Sequence, residues 1–164
     1  MSSIAMMFPK TVTRVEDATP SEINQRIERE TTVKVLEVYN GGHEAIDWRL
    51  QELDREWDVE RALETMAASV TLTSLTLGFL GNRKWLAMPF VVGGFLLQHA
   101  LQGWCPPLEV LRRLGVRTAR EIEWERTALR ILRGDFERNT TDPLEALSLA
   151  RQRPAVALAP PLVS

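Results

Sequence analysis

Hydrophobic and polar positions divide the chain into a charged first third, an apolar middle and a charged last third. No acidic or basic residue occurs in residues 65–82, and none occurs in residues 85–108 if His99 is neutral. Each run is close to the 17–25 or so residues with which an α-helix crosses the hydrocarbon core of a bilayer. A polar turn at 81–84 separates them, so the pattern predicts an all-α protein built on a helical hairpin that crosses a membrane twice.

A soluble hairpin whose apolar faces meet in a core is the alternative interpretation. A helix at the surface of a soluble protein keeps a polar face, because water touches one side of it. The second run has no charged residue on any face between Trp85 and Trp104. Thr and Ser residues dilute the first run, which makes it the weaker span. The pattern therefore favours membrane insertion.

The charged flanks predict amphipathic helices on the cytoplasmic side. A capping pattern at 19–22 and the pair Gly41–Gly42 predict a helix that ends near residue 40. No Gly or Pro lies between Gly42 and Gly78, so the next helix could continue into the first span. We expect five segments: a flexible N-terminus (1–18), cytoplasmic helices (19–56), a transmembrane hairpin (57–108), cytoplasmic amphipathic helices (109–152) and a disordered tail (153–164).

Two apolar stripes at helical spacing occur in the flanks, and we expect them to contact a partner. The alternative is that the two stripes pack on each other. The residues are Ile46, Leu50, Leu53, Ile122, Leu129, Leu132 and Phe136.

Tryptophan and arginine positions predict the orientation in the membrane. Trp57 and Trp104 would lie at one membrane face and Trp85 at the other, where amphipathic rings prefer the headgroup level. Arginines are frequent in both flanks, whereas the turn carries only Arg83 and Lys84. The positive-inside rule then predicts a multi-pass protein with both termini in the cytoplasm. The first nine residues lack the pattern of a signal peptide. The predicted membrane-interface residues are Trp57, Trp85, Trp104, Arg112 and Arg113.

Small and polar residues in the two spans predict helix–helix packing. Polar side chains are costly in hydrocarbon unless they find partners, and small residues let helix backbones approach. We expect a stripe on the first span to meet one on the second span or on another subunit, and Pro106–Pro107 to end the second span. The stripes are Ala67, Thr71, Ser74 and Gly78, and Gly93, Gly94, Gln98 and Gln102.

Composition gives few signs of chemistry. The net charge is −2, and no basic patch interleaved with aromatics indicates nucleic-acid binding. The only cysteine, Cys105, cannot form a disulfide within one chain, and no metal-ligand spacing or catalytic constellation is visible. We therefore expect no metal, no cofactor and no enzymatic activity. His99 and Cys105 are the candidates for another role, although Cys105 would lie at a helix C-terminus, which does not activate a thiol.

Three segments carry a resemblance to a known family: "WDVERALETMAASVTLTSLTLGF", "GGFLLQHALQGWCPPLEVLRRLG" and "REIEWERTALRILRGDF". Together they resemble the YgaP-like transmembrane domain family of two-helix inner-membrane hairpins, some of which carry a cytoplasmic rhodanese domain. The resemblance implies a hairpin in a bacterial-type inner (plasma) membrane, self-association and cytoplasmic ends. It implies no sulfurtransferase activity, because the chain has no room for a rhodanese domain.

These observations predict a small non-enzymatic membrane protein that acts as an anchor, scaffold or accessory subunit. Its partners would be the lipid bilayer and further copies of itself or a larger membrane complex. Two alternatives remain open. An oligomer could conduct a small solute along Gln98, His99 and Gln102, or Cys105 could serve in thiol or sulfur transfer.

Overall fold

The computed structural model describes residues 10–135 and 141–152, and every regular element in these ranges is helical. The prediction of an all-α fold is therefore confirmed. The predicted tail 153–164 and Phe136 lie outside the described residues. The elements are α1 (Arg14–Asp17), α2 (Ser21–Asn40), α3 (Gly42–Leu53), α4 (Val59–Leu80), a 3₁₀ helix (Arg83–Ala87), α5 (Met88–Gln102), α6 (Pro106–Arg113), α7 (Ala119–Arg133) and α8 (Pro143–Gln152).

The described residues form two compact units that alternate along the chain. The first unit contains residues 10–24 and 57–118, and the second contains residues 25–56, 119–135 and 141–152. Each unit has its own cluster of buried apolar side chains.

The helix before the apolar region is not continuous with the first apolar helix. Helix α3 ends at Leu53, and α4 begins at Val59 after Asp58, which has extended backbone angles. The Asp58 carboxylate accepts a hydrogen bond of 2.7 Å from the backbone N–H of Arg61 and so caps α4. The prediction of one unbroken helix is wrong because an aspartate cap starts a new helix without any Gly or Pro.

Gly103, and not the Pro–Pro pair, ends the second apolar helix. Gly103 has φ +75°, the left-handed conformation that glycine adopts without strain, and its N–H donates to the His99 carbonyl at 2.8 Å. Pro106 and Pro107 stand in the first turn of α6, where a missing N–H costs nothing. The prediction that these prolines end the span is wrong, since they begin the next helix.

Residues 10–18 are folded, although the sequence predicts a flexible segment. Val15 on α1 is buried against Val59, Leu63 and Leu108. Thr19 does not cap α2, because its hydroxyl donates to the Val15 carbonyl at 2.6 Å. A helix of four residues is too short to show a periodic apolar pattern, so the sequence could not indicate that this segment is helical.

The core of the second unit is built from the two apolar stripes of the flanks. These side chains are buried in one cluster, in which α3 packs on α7 and α7 packs on α8. The prediction that the stripes contact a partner is wrong for the described members, and the alternative that they pack on each other holds. The buried members are Ile46, Leu50, Leu53, Ile122, Leu129 and Leu132.

The apolar helices α4 and α5 are in contact, and the 3₁₀ helix joins them. Helix α4 is long and apolar enough to cross a membrane. Only 17% of its most apolar 18-residue stretch is buried within the protein, whereas the core helix of a soluble protein is mostly buried. A second span would need α5 with its 3₁₀ extension and α6 together, and this pair is bent by 71°.

Candidate functional site

An ionisable cluster lies where α4 begins and α5 ends. Glu60 stands in the first turn of α4 and His99 in the last turn of α5. His99 Nε2 is 3.0 Å from Glu60 Oε2, and the Arg14 guanidinium donates to Glu60 Oε1 at 2.8 Å. An ionised carboxylate only accepts, so this geometry assigns the hydrogen to Nε2. Glu60 therefore orients the imidazole of His99, and the Arg14 guanidinium balances the negative charge of Glu60.

The imidazole of His99 is almost completely buried, with 4% of the residue exposed. Its Nε2 atom contacts Glu60, and the Cys105 side chain lies next to the ring. His99 is therefore packed between a carboxylate and a thiol at the end of α5.

Cys105 is a free, buried thiol at the start of α6. It precedes Pro106 as the N-cap residue, with φ −154° and ψ 158°. The sequence places it at a helix C-terminus, and that expectation is wrong because Gly103 ends α5 two residues earlier. Cys105 therefore faces the positive end of the α6 dipole and not the negative end of α5.

Cys105 also forms part of the wall of an apolar groove between α4 and α5. Helix α4 contributes Met66 and Val70 to this groove, and α5 contributes Val92 and Phe95. Apart from the thiol, all the lining residues are apolar. The groove therefore favours a hydrocarbon chain over a polar ligand.

The predicted membrane-interface residues occupy three different environments. Trp57 and Trp85 are half exposed, with the Arg61 guanidinium 4.5 Å from the Trp57 ring centre, and Trp104 is partly buried. Arg113 is exposed and pairs with Glu109 at 2.6 Å.

Arg112 corrects the sequence prediction, because it is fully buried. It donates to the Asn24 side chain at 2.8 Å and to the Val116 carbonyl at 3.1 Å. Its charge is thus taken up by hydrogen bonds inside the first unit, and it does not flank the span as an exposed cation.

The small-residue stripe of α4 lies on its inner side. Ser74 and Gly78 are buried, and Ala67 and Thr71 are partly buried. A Cβ atom at Gly78 would lie 2.7 Å from Leu86 Cγ, so only glycine allows this close approach.

The matching stripe of α5 is not where the sequence predicts it. Gln98 is partly buried, but Gly93, Gly94 and Gln102 are exposed. A Cβ atom added at Gly93 or Gly94 would meet nothing within 4 Å. The predicted packing of these three residues on the first helix is therefore wrong within a single chain. The residues of α5 and its 3₁₀ extension that are at least partly buried include Leu86, Pro89, Val92 and His99.

The second unit holds a buried ion pair that the sequence did not single out. Arg49 donates to both oxygens of Glu125, at 2.7 and 3.1 Å, and Glu125 is 0% exposed. Burial alone would lower the pKa of Arg49, but its bonds to Glu125 and Glu52 raise that pKa above its usual range. At the end of α7, the bond from Arg133 holds the pKa of Asp135 below its ordinary value, against a smaller effect of burial.

The three residues of the proposed solute path lie in different surroundings. His99 is paired with Glu60, Gln102 points to the exterior, and Gln98 is only partly covered. In residues 10–135 and 141–152 no group of three or more His, Cys, Asp or Glu side chains is placed to hold a metal ion. The conduit stays a prediction, because it depends on an oligomer.

The sequence did not indicate Glu60 or Arg14 as partners of His99. A signal was available for Glu60, because it is an acidic residue at the edge of an apolar run and such a charge needs a partner. No local pattern pointed to Arg14.

Comparisons of the chain with protein-family models, with curated proteins and with solved structures find no match.

Proposed function

We propose that the chain is a non-enzymatic integral membrane protein in which α4 and α5 form a transmembrane hairpin that anchors or scaffolds other components. The observation that carries this proposal is the low burial of the apolar stretch of α4. Leu72, Phe79 and Phe90 are 67%, 77% and 83% exposed. Soluble monomers rarely expose contiguous apolar surface of this kind, whereas lipid covers it.

The position of the charges supports the same proposal. The Arg14–Glu60–His99 cluster lies at one end of the apolar pair, and Arg83 and Lys84 lie at the other. Beyond Glu64, one turn after Glu60, residues 65–82 carry no charge, and neither do residues 85–98 before His99. Ionisable groups at both borders and none between them are what a bilayer requires.

A charge scan separates membrane insertion from a soluble fold. Leu72→Arg puts a guanidinium at the middle of α4, which costs roughly 2.5–3.5 kcal/mol on insertion scales. The matched control is Leu114→Arg, because Leu114 is 75% exposed but lies just beyond α6. We expect the unaltered chain and the control to stay in the carbonate-washed membrane pellet and Leu72→Arg to leave it. Release of the unaltered chain by carbonate, or equal behaviour of both variants, would overturn the proposal.

The orientation with both termini in the cytoplasm rests on the excess of arginine in the flanks. A cytoplasm-active reporter fused after residue 164 should be active, and the same reporter inserted after residue 82 should be inactive. The opposite pattern would exclude this orientation while leaving the anchor intact.

Self-association is part of the proposal, as the resemblance to the YgaP-like family implies. Gly93 and Gly94 are exposed on α5, so close helix packing at this surface needs a second chain. Gly94→Leu should weaken energy transfer between labelled copies in vesicles, and Leu72→Ala on α4 serves as the control. Equal energy transfer in both variants would count against this interface.

A further inference from the structure

We propose that α6 lies in the plane of the membrane and that its exposed apolar edge, formed by Pro107, Val110 and Leu114, contacts lipid at the boundary between headgroups and acyl chains. This inference rests on the proposed transmembrane hairpin and adds a contact surface outside α4 and α5. It commits to one partner, the lipid leaflet that surrounds the end of α5.

Both sides of α6 carry apolar residues. Leu108 and Leu111 are buried in the first unit, next to the buried Arg112. The opposite side carries Val110 and Leu114, which are 58% and 75% exposed. A helix on the surface of a soluble protein presents a polar side to water. The buried side therefore explains why α6 packs on the unit, but it does not explain the apolar residues of the outer side.

The outer side of α6 is divided along its length. Pro107, Val110 and Leu114 follow one edge at the spacing i, i+3, i+7, and Glu109 and Arg113 form an ion pair of 2.6 Å along the other. Helices that lie in a membrane interface show this division, with apolar residues towards the acyl chains and charged residues towards water. Single exposed apolar residues are common in soluble proteins, so the position of this edge decides its meaning.

The apolar edge of α6 continues the apolar surface of α4 and α5. Pro107 lines the groove between these two helices, together with Val70 and Phe95, which are themselves exposed. Val110 lies one turn beyond Pro107, and Leu114 one turn further. Lipid that covers the groove is therefore next to this edge of α6.

The direction of α6 agrees with an in-plane position. Helix α6 is about 12 Å long and is bent by 71° from α5 and its 3₁₀ extension, so it extends only about 4 Å along the α5 axis. If α5 crosses the bilayer, α6 runs nearly parallel to the membrane surface. Trp104 lies in the link between α5 and α6, and tryptophan prefers the headgroup level.

The ends of α6 expose few unpaired backbone groups. Residues 106–107 are prolines without N–H, and the Leu108 N–H donates to the Cys105 carbonyl at 3.1 Å. At the other end, the N–H groups of residues 114–116 donate to the carbonyls of residues 110–112 at 3.0–3.1 Å. Unpaired backbone groups are costly where water is scarce, so a helix with these ends suits a poorly hydrated layer.

The test places one spin label at a time on the full chain in vesicles of phosphatidylcholine and phosphatidylglycerol. Collisions with oxygen, which concentrates in hydrocarbon, and with a water-soluble nickel chelate give the depth of each label. Labels at Val110→Cys and Leu114→Cys should lie within about 5–10 Å of the boundary between headgroups and acyl chains. A label at Leu72→Cys, at the middle of α4, should lie deeper, and one at Arg113→Cys should lie nearer to water.

Two controls accompany these labels. Cys105 is 2% exposed, and the unaltered chain treated with the same reagent gives the blank for its reaction. Val33→Cys on α2 provides the exposed position in the second unit, since Val33 is 53% exposed. Its label should collide freely with the nickel chelate.

The possible results separate this inference from the proposed hairpin. If the Leu72 label is deep but the Val110 and Leu114 labels collide with the chelate as often as the Val33 label, the in-plane position is refuted and the hairpin stands. If the Val110 and Leu114 labels are as deep as the Leu72 label, α6 belongs to a broken span, which also refutes it. If the Leu72 label itself is open to the chelate, the hairpin fails, and this inference fails with it.

A charged variant tests whether the apolar edge holds α6 in this position. With the label at Val110→Cys, Leu114→Asp should shift the label towards water, whereas Leu114→Met should leave its depth unchanged. An unchanged depth in Leu114→Asp would mean that packing within the first unit alone places α6, and would overturn the role assigned to the edge. In each variant the chain should stay in the membrane, because α4 and α5 hold it there.

Discussion

The buried pair Arg49–Glu125 gives the sharpest prediction for the second unit. Replacing Arg49 by Met keeps much of its apolar stem but leaves the Glu125 carboxylate, which is 0% exposed, without its main cation. Removing one member of a buried pair costs about 3–5 kcal/mol. Because 16% of the Arg49 side chain is exposed and Glu125 makes further contacts, we expect about 3 kcal/mol. That is a large part of the total stability of an ordinary domain.

Hydrogen exchange in the full chain is the suitable assay, because a detergent-bound protein with two units need not unfold in one step. Backbone amides of α3 and α7 should exchange roughly 100-fold faster in Arg49→Met, since each 1.4 kcal/mol or so is a factor of ten. The control Lys34→Met removes an exposed pair with Glu37 and should change exchange by less than about 1 kcal/mol.

The double variant Arg49→Met/Glu125→Leu decides whether the buried charge is the cause. Two apolar side chains in place of the pair leave no stranded carboxylate, so protection should return to near the original level. If the double variant exchanges as fast as Arg49→Met, or if Arg49→Met matches Lys34→Met, the argument from burial is wrong.

Three other changes have expected outcomes. Gly103→Ala places alanine in a left-handed conformation and against the Arg14 backbone, so it should destabilise the first unit by more than about 2 kcal/mol. The α5 and α6 amides should then exchange faster, and unchanged exchange would refute this. Gly78→Ala should cost about 1–3 kcal/mol because the new methyl overlaps Leu86, so the α4 amides should exchange faster; unchanged exchange would contradict the packing. The lowered pKa of Asp135 contributes stability that is complete above its unfolded pKa of about 4 and is lost as the pH falls below that value. The α7 amides should therefore exchange faster below about pH 4. In Asp135→Asn, the exchange of these amides should lose this dependence on pH.

The pattern of apolar residues and glycines predicted the helices well, because apolar periodicity and helix-ending glycines are local signals in the sequence. Gly41–Gly42 marked the end of α2, the first apolar run covered most of α4, and the second contained α5. The break between α3 and α4 was missed because an aspartate such as Asp58 can cap a new helix without a Gly or Pro to mark the boundary. The folded segment around Val15 was missed because α1 is a single turn.

The candidate site could be predicted only in part. His99 and Cys105 were visible as unusual residues in an apolar run, but their partners depend on packing between distant segments. Glu60 joins His99 because α4 and α5 are in contact, and Arg112 is buried because Asn24 reaches it from α2. One sequence without this packing offers no way to choose among the many acids and bases, and for that reason Arg112 was assigned to the membrane surface.

The alternation of the two units along the chain has a consequence for biosynthesis. Helix α3 leaves the ribosome before α4 and α5, yet the core that buries Leu53 also needs α7 and α8, which are made last. At ~5–20 residues per second, the apolar face of α3 waits several seconds for its counterpart. On the proposal that α4 and α5 insert into lipid, insertion would precede closure of the second core. A truncation before α7 would leave the apolar face of α3 exposed to chaperones and proteases.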